Sequence, residues 1–82
     1  MTINTVPIKI GWEDPSEELL NSLRKTLNEI LGTLWKVTYC RIDGKYLYLS
    51  VECMLDKFDH ADKAYITGLA AGFLAANDIE IL

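Results

Sequence analysis

His60 is the only histidine in this 82-residue chain, and Asp56, Asp59 and Asp62 flank it. Imidazole and carboxylates at such spacing could hold a divalent metal, provided that they converge in fixed geometry. Two of the three aspartates have another use. Asp59 stands where a helix needs an N-cap, and Asp62 falls in that helix's first turn, where a negative charge suits the dipole. No metal site is expected. Glu13 and Asp14 are a second candidate pair, for acid–base work. Asp14 reads as a helix cap and Glu13 as a solvated side chain. The chain has neither a Gly-x-Ser-x-Gly elbow nor a phosphate-binding glycine loop, so no nucleophile has a partner. The expectation is a non-enzymatic protein without a cofactor.

The two cysteines, Cys40 and Cys53, form no Cys-x-x-Cys motif. They are read as strand residues on opposite faces of one hairpin, with Cys53 in the core, so no disulfide is expected. The formal net charge is −4, with eight basic residues scattered along the chain. An acidic chain of this size repels phosphate backbones unless a local basic patch overrides the average. Only Arg24 and Lys25 are adjacent, so direct nucleic-acid binding is not expected. There is no signal peptide and no apolar run of membrane length, which points to a soluble, cytoplasmic protein with no membrane contact.

The elements that position these residues follow from pattern. Val6, Ile8, Ile10 and Trp12 alternate with Pro7, Lys9 and Gly11, a half-buried strand. Pro7 lacks a donor, so one side of that strand should be unpaired. Asp14, Pro15 and Glu17 predict a capped helix start, and Gly32 predicts its stop. Leu19, Leu20, Leu23, Leu27, Ile30 and Leu31 form its buried stripe. Residues 35–41 and 46–53 are rich in β-branched and aromatic side chains and flank Asp43 and Gly44, a hairpin signal. A three-residue loop of Ile42, Asp43 and Gly44, with Gly44 at positive φ, would pair Arg41 with Lys45. Trp35, Val37 and Tyr39 would then share the core face with Leu47, Leu49, Val51 and Cys53. The open face would carry Lys36, Thr38, Cys40, Tyr46, Tyr48, Ser50 and Glu52. A second helix runs from Asp59 to about Ala76, with Asn77 as its left-handed cap, before a short strand at Ile79 and Ile81.

Strand, helix, strand, strand, helix, strand over one domain of residues 1–82 predicts an α+β, ferredoxin-like split βαβ fold. Its four-stranded antiparallel sheet should have the order 4-1-3-2, with both helices on one face. Metal carriers of this shape place a Cys-x-x-Cys after the first strand, and phosphate-binding enzymes an Arg. Here that loop reads Gly11, Trp12, Glu13, Asp14, which excludes both. RNA-recognition domains of this shape stack bases on aromatics of the first and third strands. Tyr46 and Tyr48 supply only the third-strand half.

Residues 68–76 contain no polar side chain. Ile66, Leu69 and Phe73 are assigned to the sheet side, and Gly68, Ala71, Gly72 and Ala75 to a small-residue arc. Ala70 and Leu74 are assigned to the outer side. Two interior glycines each cost about 1 kcal/mol relative to alanine, which close helix approach would offset. Either that arc nestles against the first helix, or the side bearing Leu74 meets a second copy or another protein. The functional expectation is therefore a protein-binding module, of the kind that includes small acidic inhibitors encoded by mobile elements, which cover a nucleic-acid-handling surface of a target. Its partner-binding residues would be Gly68, Ala71, Gly72, Leu74 and Ala75 on helix two, with Tyr46, Tyr48 and Glu52 on the open sheet. Self-association through helix two is the other partner expected. A dimeric small-molecule-sensing domain is the alternative, with Gly11, Trp12 and Glu13 as contacts.

Overall fold

The computed structural model describes residues 2–82. Its elements are β1 (Thr2–Gly11), α1 (Glu17–Leu31), β2 (Trp35–Asp43), β3 (Tyr46–Cys53), α2 (His60–Ala76) and β4 (Glu80–Ile81). The sheet order is β2-β3-β1-β4, all pairs antiparallel, which is the split βαβ arrangement read from the sequence. β1 is longer than its alternating core, beginning at Thr2 rather than Val6. β4 pairs with only Ile10 and Gly11 of β1. Among the described residues no helix is long and apolar enough to cross a membrane.

The core lies between the sheet and the two helices. Val6, Ile8 and Ile10 from β1 and Leu47, Leu49 and Val51 from β3 meet Leu23 and Leu27 of α1 and Ile66 and Leu74 of α2. Strict alternation on β1 and β3 makes this possible, since every second residue turns inward. Ile30, assigned to the buried stripe, is 51% exposed instead. It lies one turn beyond Leu27, at the edge of the arc that α1 buries.

Several expected boundaries move. The N-cap of α1 is Ser16, whose hydroxyl accepts from the backbone N–H of Leu19 at 3.0 Å, and not Asp14. Ser16 offers the same short oxygen two residues later, which leaves Pro15 outside the helix. Asp59 caps α2 as expected, with a reciprocal box in which Asp62 accepts from the Asp59 N–H. The left-handed residue after α2 is Asp78 at φ 60, whereas Asn77 stays at φ −107 and donates its side-chain N–H to the Phe73 carbonyl.

The hairpin register differs from the expected one. Asp43 pairs with Tyr46, and Ile42 with Leu47, so the loop is Gly44 and Lys45. Gly44 has the expected positive φ, at 61, in the first loop position, as a type II′ turn requires. From the turn, Ile42 and Cys40 face the core. A bulge between Val37 and Tyr39 then inserts an extra residue, and Val37 and Trp35 face the core beyond it. A single unbroken alternation would expose one of these two apolar pairs. The bulge buries both and turns Tyr39 outward, so Tyr39 is not a core residue and Cys40 is not on the open face.

The two sheet edges end differently. On β2, the side-chain amide of Asn28 from α1 takes both backbone groups of Val37. Its Nδ2 donates to the Val37 carbonyl at 3.0 Å, and its Oδ1 accepts from the Val37 N–H at 2.7 Å. That contact and the bulge blunt this edge. On β1, β4 covers only the end of the strand, so residues 2–8 keep one side open, as Pro7 predicted.

Candidate functional site

Among the described residues no helix covers the second face of the sheet, and the three long strands build it in rows. Tyr48 of β3 sits between Pro7 of β1 and Arg41 of β2. Tyr46 sits between Lys9 and Asp43, Ser50 between Thr5 and Tyr39, and Glu52 between Ile3 and Lys36. The rings of Tyr46 and Tyr48 lie 6.0 Å apart, and the Arg41 guanidinium sits 4.4 Å from the centre of the Tyr48 ring. Arg41 also approaches the Asp43 carboxylate at 3.6 Å. Tyr39 is 60% exposed and Tyr46 40%. The face thus offers three tyrosines, with a guanidinium already placed over one of them.

Charge is segregated between the two sides of the molecule. Lys9, Lys36, Arg41 and Lys45 lie on the open face or its turn, against Asp43, Glu52 and, beside Gly11, Glu80 of β4. That is four cations to three carboxylates, so with −4 over the whole chain the remainder carries −5. The scatter of basic residues in the sequence is therefore misleading, because strand pairing collects half of them on one face.

Helix α2 turns differently from its expected orientation. Ile66, Ala70 and Leu74 are its buried residues, each with no exposed surface. Leu74 belongs to the monomer's own core and cannot be a partner contact. The apolar residues run nearly all round this helix, so their arrangement does not single out the inward side. Ala70 and Leu74 continue Ile66 at four-residue steps, which places them on one line facing inward. Gly68, Gly72 and Ala75 are exposed and Ala71 half-buried. A Cβ added at Gly68 or Gly72 would meet nothing within 4 Å, so the small arc does not nestle against α1.

The remaining candidates fall in separate places. His60 is exposed at the start of α2, and Asp59 and Asp62 are engaged in the capping box. The Asp62 backbone N–H, with smaller contributions from Lys57 and neighbouring hydrogen bonds, holds the Asp59 carboxyl below its ordinary value of 3.8. Among the described residues no three His, Cys, Asp or Glu side chains converge. Cys40 and Cys53 are both free thiols on the core side of the hairpin. Cys40 pairs with Leu49, four positions along β3 from Cys53, roughly 13 Å away at strand rise. Burial pushes the Cys40 thiol up from 9.0 to about 11, against a smaller opposing pull from Arg24.

Trp12 packs against the core, and Gly11 lies 3.6 Å from Leu82 and 3.8 Å from Glu80, measured from the position of a Cβ. The chain's last residues therefore crowd the proposed small-molecule contacts. A concavity of about 700 Å³ includes Asn21, Arg24, Lys25 and Asn28 in its lining, and every residue lining it comes from α1. It has no opposing wall with which to enclose a ligand.

These features define an α+β domain of split βαβ form with a tyrosine- and arginine-bearing open sheet. Compared with models of known protein families, with curated proteins and with solved structures, the chain matches none.

Proposed function

We propose that this chain is a non-enzymatic protein-binding module whose contact surface is the open sheet face. The observation that carries the reading is the cluster of Tyr39, Tyr46, Tyr48 and Arg41, with Arg41 stacked on Tyr48 at 4.4 Å. Tyr and Arg are the residues most enriched where binding energy concentrates, because they bring large contact area and directed polar groups at low entropic cost. Arg41 is held in place before any partner arrives. Lys9 and Lys36 widen the patch, and Glu52 borders it. The local excess of positive charge suits a partner that presents carboxylates.

A second reading is favoured by the same charge segregation. The remainder, which carries −5, suits a basic, nucleic-acid-handling target, as a small acidic inhibitor of mobile-element type would need. Glu13, Asp14, Glu17 and Glu18 are all exposed, in the loop before α1 and its first turn.

Affinity capture from host extract with paired baits separates these readings. Wild type, Tyr48→Ala and a Glu17→Lys/Glu18→Lys double variant would be compared at matched stability. A partner acting through the sheet is lost by Tyr48→Ala, whereas a partner of the acidic side is lost by the double variant. Titration of labelled single-stranded RNA should give no saturable binding. Saturable binding abolished by Tyr48→Ala would replace the protein partner with nucleic acid.

A further inference from the structure

The open edge of β1 carries an inference independent of the sheet-face reading. The Leu82 N–H donates to the Lys9 carbonyl on the β4 side, and the Ile10 N–H donates towards β3, to the Lys45 carbonyl. Backbone groups alternate sides along a strand, so Ile3, Thr5 and Pro7 point theirs away from β3. β4 reaches only Ile10 and Gly11, with Leu82 on Lys9. Residues 2–8 are left as an open edge, and its middle residue is Thr5.

We propose that this edge pairs with the same edge of a second copy, antiparallel, about a two-fold axis at Thr5. Four observations select a copy as the occupant. An antiparallel two-fold needs a residue that faces itself with its backbone groups pointing across, and Thr5 does so at the centre of the open stretch. Ile3 then lies opposite Pro7 of the second copy, both on the open face. Ile3 is 72% exposed, the highest of the large apolar residues described. Residues 2–8 include no charged side chain, so self-pairing opposes no like charges, and the usual charged protection of an edge is missing. The opposite edge is occupied at Val37 by Asn28, so association stops at a dimer instead of propagating. β4 sets the limit of the pairing, since a longer overlap would collide with Leu82. The two open faces would merge into one continuous sheet, presenting the tyrosine patch twice.

Sedimentation velocity across a concentration series reaching about 1 mM tests this directly. Wild type should show a reversible monomer–dimer equilibrium. Thr5→Pro removes an N–H that points away from β3, and it should raise the midpoint at least about tenfold. Thr5→Lys leaves the backbone intact and sets two ammonium groups against each other at the axis. It should do the same, with a melting temperature unchanged at concentrations where wild type is monomeric, and it decides the matter if Thr5→Pro does not fold. A wild type that stays monomeric throughout, or a dimer that Thr5→Lys leaves intact, overturns the proposal. Neither result bears on partner capture through Tyr48.

Discussion

One side chain, Asn28, performs the work of a neighbouring strand for Val37, and the consequence can be measured. Asn28→Ala leaves an N–H and a carbonyl without their partner at a half-buried site. The loss should be about 1–3 kcal/mol of stability, read from urea midpoints. A loss near zero would mean that solvent already satisfies Val37. Cys40 makes a second residue-scale prediction. With the thiol raised from 9.0 to about 11, roughly a hundredth of a free cysteine's thiolate is present at pH 8. Alkylation by iodoacetamide should slow accordingly in the folded protein and recover in urea. The sign for stability follows from the same direction. The native state holds the proton more tightly, so this contribution is complete below pH 9.0 and is lost as pH rises towards about 11.

At the scale of elements, the helices and strands were legible because their patterns are locally consistent. β1 and β3 alternate, α1 carries a leucine stripe, and Asp59 with Asp62 is a capping box that needs no tertiary context. What escaped was phase. On β2 the apolar residues change parity between Val37 and Cys40, which is the mark of a bulge, whereas strict alternation runs straight through it. Strict alternation puts Tyr39 in the core, whereas the bulge turns it out onto the face that carries Arg41. On α2 the apolar residues leave no polar side to orient by, so the inward direction depended on the sheet and could not be read from the helix alone. The outcome changes what α2 variants should do. Leu74→Ala should cost about 2–5 kcal/mol by opening a cavity in the core. Gly72→Ala faces open space at an ordinary helical position and should stabilise by up to about 1 kcal/mol in thermal or urea unfolding. Destabilisation by Gly72→Ala would show that the helix is held closer to a neighbour than the structure places it.

For the whole molecule, the decisive feature is that pairing sorts charge which the linear sequence mixes. Lys9, Lys36, Arg41 and Lys45 are separated by up to 36 residues in the chain and meet on one face of a three-strand surface. Composition alone argued for a uniformly acidic object. The folded object has an aromatic, mildly basic sheet face, and the rest of its surface is acidic. The two partner surfaces expected from sequence are thus unequal. The sheet half, with Tyr46, Tyr48 and Glu52, is assembled with preorganised neighbours. The helix-two half loses Leu74 to the core and keeps only a strip of small residues.

Amide and Tyr-ring chemical shifts of the labelled protein, recorded as a captured partner is titrated in, would test the central claim most directly. The account predicts perturbations at Lys9, Arg41, Tyr46 and Tyr48, with Gly68, Gly72 and Ala75 silent. Perturbations confined to the outer side of α2, with the tyrosines unmoved, would contradict it.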